Sequence, residues 1–396
     1  MAAEVPRVAL ATLSRAAFRD GYQRKNLPLI ITGATGGWRA TREWVDPATG
    51  KPDVAALARL FGEDEVSVHD SRGGTREMRL SEYIAWWTRR GGEGDEELGL
   101  YLKDWHCAAL HPQYCAYETP ACLGEDWLNE HWASPEQQQQ RGESGGDHRF
   151  VYIGPRGSST RLHADVLFSY SWSVNVVGRK RWRLVPASER MHVSDAGTRP
   201  LASWLSELPA TTATGSAPLV HALEVVQEAG ELLFVPSGWY HEVVNLEDTI
   251  SINHNWLTAH NAEWALRRLR ETLDDLRGGL GEDADDLELL EGLVERRCGL
   301  GMFGWAELLE GVLRRRTPPV ENEEDDVAYA RARVLAVLRE TLDWIESCCV
   351  GVDADETGCE DLEPHRRASI ERQRLLLLEA ETPAKDTPAG KRRKRG

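Results

Sequence analysis

The spacing of apolar residues changes along this chain. Between residues 149 and 257 they alternate with polar residues or form short runs, as in Phe168-Ser-Tyr-Ser-Trp-Ser-Val-Asn-Val176 and Leu232-Leu-Phe-Val235. That pattern predicts a dense set of β-strands. From Ala262 onward the period is helical, first in Leu266, Leu269 and Leu273, then in Leu289, Leu293, Leu308, Leu313, Val334, Leu338 and Leu342. Several amphipathic helices are expected there, with their charged residues on solvated faces. The first 133 residues mix both types, with helices at Val8–Asp20, Val54–Phe61 and Ser81–Arg89 and β-runs at Pro28–Thr32 and Gly99–Lys103. Trp127–Trp132 closes that part. The stretch Ser134-Pro-Glu-Gln-Gln-Gln-Gln-Arg-Gly-Glu-Ser-Gly-Gly-Asp147 has almost no apolar residue and reads as a surface loop or flexible insertion. A second polar stretch, Ala187–Pro218, interrupts the strands and is placed to overhang a pocket. The expected class is α+β: N-terminal α/β elements over 1–133, a loop over 134–147, a β-core over 148–260, a helical region over 261–381 and a disordered basic tail over 382–396. No internal repeat is visible.

Candidate chemistry lies in the β-rich part. His163-Ala-Asp165 follows a turn-rich stretch, Gly154 to Thr160, and opens a strand-like run. On a strand, residues at i and i+2 share a face, so His163 and Asp165 can reach one metal ion. A chance pairing is the alternative, since the chain has twelve histidines and many acidic residues. The stretch Gly230-Glu-Leu-Leu-Phe-Val-Pro236-Ser-Gly238-Trp-Tyr-His241-Glu-Val-Val-Asn245 is more specific. Glycines permit the turn and Pro236 ends the strand, so residue type fixes the loop and presents His241. A hairpin carrying a core histidine is the bland reading. Two imidazoles and one carboxylate leave coordination positions open, which suits Fe(II) with a co-substrate and oxygen better than a closed structural zinc site. Between the motifs, two strand-like runs meet at Gly178, and Lys180 shares a face with Trp182 and Leu184. That lysine is either a surface residue whose stem covers its neighbours or a buried anion anchor.

Composition narrows the class further. The chain has 396 residues, 41% of them hydrophobic, enough for a sizeable core. No run approaches the roughly eighteen apolar residues that a membrane span needs. The N-terminus lacks an apolar signal core, so a cytoplasmic address is expected, with the nucleus open because Lys391-Arg-Arg-Lys-Arg395 reads as an import signal or a plain solvated tail. Seven cysteines without a Cys-x2-Cys pair signal neither a zinc ribbon nor a disulfide framework. The net charge of −17 falls on a body more acidic than that figure, because the tail is basic. An acidic body repels nucleic-acid backbones and favours a basic protein segment as partner.

The order of the motifs is that of a known family. Gly-x5-Pro-x-Gly-x2-His-x3-Asn resembles the second motif of the cupin double-stranded β-helix. The succession His163-x-Asp165, Trp172-Ser173-x4-Gly178-x-Lys180-Arg-Trp182, Pro236-x-Gly238-x2-His241 and Ile250-Ser-Ile-Asn253-x-Asn255-Trp256 resembles the Jumonji-C family of 2-oxoglutarate oxygenases. The resemblance implies a cupin-like double-stranded β-helix and a ferrous ion on His163, Asp165 and His241. It implies 2-oxoglutarate held through its far carboxylate by Lys180 and Thr160, with Ser173, Asn255 and, second, Asn253 as further contacts. The reaction implied consumes O2 and 2-oxoglutarate, releases succinate and CO2, and leaves a hydroxyl on an unactivated carbon. Trp172, Trp239 and Tyr152 are candidate walls of the pocket, with ordinary core packing as the alternative.

Within the family, Tyr101-Leu-Lys-Asp-Trp-His106, Arg149-Phe-Val-Tyr-Ile-Gly-Pro155 and Asp248-Thr-Ile-Ser-Ile-Asn-His-Asn-Trp256 are most similar to protein lysyl hydroxylases acting on the eukaryotic translation termination factor. A lysine demethylase acting on histones or other proteins, and a non-catalytic binding module, are the alternatives. The family also places dimer interfaces on C-terminal helices, which leaves a homodimer and a single chain both open.

Overall fold

The computed structural model describes residues 4–70, 73–89, 99–141, 147–195, 197–208, 220–281, 284, 286–316, 325–349 and 362–381. Five strands precede the core: β1 (Arg7–Ala9), β2 (Leu29–Thr32), β3 (Glu65–His69), β4 (Thr75–Arg79) and β5 (Tyr101–Trp105). Ten follow: β6 (Arg149–Gly154), β7 (Ser159–His163), β8 (Tyr170–Val177), β9 (Lys180–Val185), β10 (Ser194–Asp195), β11 (Arg199–Pro200), β12 (Leu223–Gln227), β13 (Leu232–Val235), β14 (Tyr240–Asn245) and β15 (Thr249–Trp256). A nine-stranded sheet runs β1-β2-β13-β8-β15-β6-β5-β3-β4 and a four-stranded sheet β12-β9-β14-β7. Eight strands, β6–β9 and β12–β15, divide evenly between the two sheets and switch from one to the other at every step except from β9 to β12, which pair with each other. That is the double-stranded β-helix the motifs implied.

Strands β8 and β15 set the polarity of the molecule. Their outward residues, Trp172, Val174, Ile250 and Ile252, are buried against an aromatic layer from the N-terminal part that includes Trp44, Phe61 and Trp105. Their other faces carry Ser173, Asn175, Ser251, Asn253 and Asn255, which are buried as well. Period-two alternation normally puts polar residues in water; here a covering layer on one side and the second sheet on the other bury both faces. Buried polar side chains require partners, so a row of them inside a barrel marks a cavity built for a polar ligand. At the turn between β8 and β9, Gly178 has φ +82°, and an added Cβ would lie 2.4 Å from the Asp248 carbonyl oxygen. Only glycine fits there.

The helical region is as expected in kind. Helices Ala262–Leu280, Leu287–Cys298, Met302–Arg315, Asp325–Cys349 and Pro364–Glu381 follow the barrel. Leu266, Leu269, Leu273, Leu308, Leu313, Val334, Leu338 and Leu342 are buried in one core together with Trp127 and Leu167 from the barrel side. Leu289 lies half-exposed and Leu293 partly buried at its edge.

Several expectations are corrected. Val8–Asp20 is no single helix: β1 pairs in parallel with β2, a 3-10 turn follows at Leu10–Thr12, and the helix Arg15–Phe18 starts only after Ser14, whose side chain accepts from the Ala17 N–H. The Gln-rich stretch is helical over Pro135–Arg141, because glutamine and glutamate are good helix formers and a lack of apolar residues speaks of exposure, not of conformation. Residues 142–146 of that stretch, 209–219 of the overhanging loop, and the basic tail lie outside the described residues. The hairpin of β3 and β4 was not anticipated, since only Val66 and Val68 are buried in it. The six described cysteines are free thiols. Among the described residues, no helix is long and apolar enough to cross a membrane.

Candidate metal and co-substrate site

β7 and β14 run antiparallel with His163 directly opposite His241. Opposed residues share a face and bring their Cβ atoms to about 5 Å, and the two imidazole centroids are 4.2 Å apart. A register shift follows His241, where the ladder breaks beside the site. Asp165 does not share a strand with His163, as the spacing suggested. β7 ends at His163, and Asp165, with extended backbone at φ −60° and ψ 154°, heads the short turn Val166–Phe168. The reach of an extended residue is kept, so one ligand atom from each of His163, Asp165 and His241 lies within 4.8 Å of the others.

The state of each donor follows from its partner. A carbonyl only accepts, so the contacts of His163 Nδ1 with the Arg161 carbonyl at 2.8 Å and of His241 Nδ1 with the Trp239 carbonyl at 3.2 Å place the proton on Nδ1. Each Nε2 lone pair is left for a metal. Burial, with His241 next to it, pulls His163 down to about 4, so it stays neutral near pH 7. The Ser171 hydroxyl donates to Asp165 Oδ2 at 2.7 Å, which orients the carboxylate.

Deeper in the same cavity sits Lys180, 2% exposed, which settles its face: it points into the barrel with Trp182 and Leu184. Its Nζ donates to the Ser251 hydroxyl at 2.6 Å and lies 5.7 Å from the centre of the Tyr152 ring. No carboxylate pairs with it among the described residues. Burial, with Lys103 nearby, pulls its amine down to about 7. A buried cation without an anion is expensive unless a ligand brings one. Ser173, opposite Asn253 on β15, lines the cavity with a buried hydroxyl that has no hydrogen-bond partner among the described residues. The donor set and these unsatisfied groups fit a ferrous ion at one end and a dicarboxylate spanning to the other.

Every residue that the sequence assigned to the metal or to 2-oxoglutarate lines this cavity: Thr160, His163, Asp165, Ser173, Lys180, His241, Asn253 and Asn255. The two asparagines divide it. The Asn253 amide donates to the hydroxyl of Ser251 beside Lys180, whereas the Asn255 amide donates to Ser169 Oγ. Tyr152 is a wall; Trp172 borders the cavity from its strand while its ring stacks on His254 on the outer face, and Trp239 is no wall, because it packs in the inter-sheet core and its indole donates to the Asn26 carbonyl. Sequence reasoning left Tyr101, Ser171 and Ser251 without a role. Tyr101 lies with Thr160 at the meeting of cavity and cleft, and burial raises its phenol well above the ordinary range. Ser171 and Ser251 carry a signal in hindsight, for they continue the period-two polar row of Ser173 and Asn253.

An open cleft of about 580 Å³ leads to the cavity and shares Tyr101, Thr160 and His163 with it. Lys103, Arg161 and Trp204 line it, so the strap before residue 209 does border the entrance.

Comparison with known proteins agrees with this geometry. A family model described as a cupin-like domain matches residues 15–262. The chain is 38% identical over 306 residues to arginine-specific demethylase JMJ20 of Arabidopsis thaliana, covering 74% of this chain and 66% of that protein. It is 36% identical over 332 residues to 2-oxoglutarate and iron-dependent oxygenase JMJD4 of Gallus gallus, covering 79% and 75%. To the Homo sapiens protein of that name it is 38% identical over 288 residues, covering 69% and 66%. The matches thus span about two thirds to three quarters of these relatives' own length. The chain belongs to the cupin-like domain family, in its Jumonji-C group of 2-oxoglutarate and iron-dependent oxygenases.

Proposed function

We propose that the protein is a Fe(II)- and 2-oxoglutarate-dependent oxygenase that hydroxylates a lysine side chain of the translation termination factor. The carrying observation is one cavity holding an open two-histidine, one-carboxylate donor set at its mouth and an unpaired buried ammonium at its base. A non-catalytic module has no need of both. His163, Asp165 and His241 would hold the iron, and Lys180, Thr160 and Ser173 the far carboxylate of 2-oxoglutarate. When bound, iron and the keto acid supply the oxidising power that inserts one oxygen atom from O2 into a C–H bond, with succinate and CO2 released.

The chain's own part is placement. Lys180 offers a charge-assisted bond that an uncharged analogue cannot answer. Ser171 holds Asp165 in one orientation, the two backbone carbonyls hold the imidazoles, and Trp182 and Tyr152 wall the cavity against water. The protein substrate enters through the cleft above His163. Translation termination places the enzyme in the cytoplasm, with the nucleus open, and a homodimer through the C-terminal helices stays a family-based proposal.

Relatives bear names of both chemistries: JMJ20 is an arginine-specific demethylase, and a 27% identical Caenorhabditis elegans protein is named a bifunctional arginine demethylase and lysyl-hydroxylase. The deciding experiment is mass spectrometry of the termination factor, and of methylated histone peptides, after incubation with enzyme, Fe(II) and 2-oxoglutarate. Gain of one oxygen on a lysine of the factor is expected. Loss of methyl groups with no oxygen gained would transfer the assignment to the demethylases.

A further inference from the structure

The turn that follows the metal carboxylate is held in a conformation its residues disfavour. Leu167 has φ +54° and Phe168 φ +46°, the left-handed region, and neither is glycine, asparagine or aspartate. Such a backbone persists only where its surroundings over-determine it. Phe168 is fully buried, and the guanidinium carbons of Arg268 and Arg190 lie 4.9 Å and 5.4 Å from its ring centre. Arg190 is held in turn by Glu271, at 2.7 Å. The edge of the Trp264 indole meets the same ring at 6.3 Å and 78°.

Trp264 also touches the other motif. At Gly238, three residues before His241, φ is +71°, and an added Cβ would lie 2.7 Å from the Trp264 ring. The turn that delivers His241 is therefore seated against the same indole as the turn that delivers Asp165. Trp264, Arg268 and Glu271 stand four and then three residues apart on the helix Ala262–Leu280, one face of its first turns. The Arg267 guanidinium caps the indole at 4.7 Å.

We propose that Trp264 is a positioning residue of the metal site, bracing both the Asp165 and the His241 turns. The first C-terminal helix is in this sense part of the iron centre, although it supplies no ligand. Ligand geometry responds to the groups that orient it, and losing one such support costs about 10- to 100-fold in metal affinity in other sites. The inference rests on the metal reading above, and the test separates the two.

The experiment is Mn(II) titration of the full chain, stripped of metal, by calorimetry, with Tm recorded for each variant. Stoichiometric binding by the wild type that is lost in His163→Ala establishes the metal site; absence of binding in the wild type overturns that reading whatever Trp264 does. With binding established, Trp264→Ala should weaken Mn(II) by about tenfold or more, and Trp264→Phe should recover most of it. Gly238→Ala should weaken binding in the wild type and cost less where the indole is gone. A folded Trp264→Ala protein with unchanged Mn(II) affinity would overturn the brace. So would an equal Gly238→Ala penalty in both backgrounds. Should the alanine variant fail to fold, Trp264→Leu carries the same cycle, since it keeps apolar bulk and loses the ring edge.

Discussion

The barrel and the helical layer behind it bury side chains for opposite reasons. In the layer, Leu269, Leu308, Leu309 and Leu338 are fully buried apolar residues, and their contribution is transfer from water and close packing. In the barrel, Ser173, Asn175, Lys180, Ser251 and Asn253 are nearly as deep and polar. One region is stable because of what it buries, the other in spite of it. The difference locates the activity: stability that could have come from an apolar barrel is given up where a ligand will complete the hydrogen bonds.

Substitutions should separate the two regions. The largest effect is expected for His163→Ala and Asp165→Ala, which should reduce succinate release to background while Tm moves by only a few degrees. Undiminished turnover would remove them as ligands. Leu309→Ala should do the reverse, lowering unfolding free energy by about 2–5 kcal/mol and leaving the KM for 2-oxoglutarate unchanged; urea denaturation together with steady-state kinetics checks both halves. Lys180→Ala comes next. Loss of a charge-assisted bond is worth about 1.5–3 kcal/mol, so 2-oxoglutarate affinity should drop by roughly ten- to a hundredfold while Mn(II) affinity holds.

A pH profile sharpens the same contrast. In the free protein the Lys180 amine lies at about 7, against 10.5 for an ordinary lysine, so between those values the unfolded chain holds the proton that the folded one has lost. Stability of the free protein therefore gains from this group as pH rises through that window. A bound dicarboxylate reverses the preference by restoring the ammonium, and binding then takes up a proton. Affinity for 2-oxoglutarate should consequently fall from pH 7 to 9. Lys103 titrates nearby, at about 8, while Tyr101 and Tyr152 stay neutral, so the slope should be compared with that of Lys180→Met. An identical slope in that variant would assign the effect to Lys103. The smallest change is expected for Ser173→Ala, a few-fold in 2-oxoglutarate KM.

What could be read from the sequence follows the same divide. The metal histidines and Lys180 were legible because turn chemistry fixes their place: Gly178, Pro236 and Gly238 dictate backbone, and backbone dictates where the next strand opens. The inner polar row was half legible, since alternation shows which residues share a face but not that a second layer will cover the other one. Asp165 was right in reach and wrong in setting, for i+2 spacing suits any extended backbone and the left-handed Leu167-Phe168 turn has no glycine to announce it. Helix Val8–Asp20 failed because pairing of β1 with β2 outweighs a helical apolar period, a contest that local pattern cannot show. The brace at Trp264 was invisible, because it depends on a later helix packing back onto two turns that lie about seventy residues apart in the chain.

The face-to-face register of His163 and His241 has a consequence for how the molecule comes into being. The two stand seventy-eight positions apart in the chain, and neither strand alone can gather the ion. Until synthesis has passed β14 and the two sheets have closed, the emerging polypeptide carries fragments of a redox centre but no assembled one. Activation of oxygen is thereby tied to completed folding, which shields the nascent chain from its own chemistry.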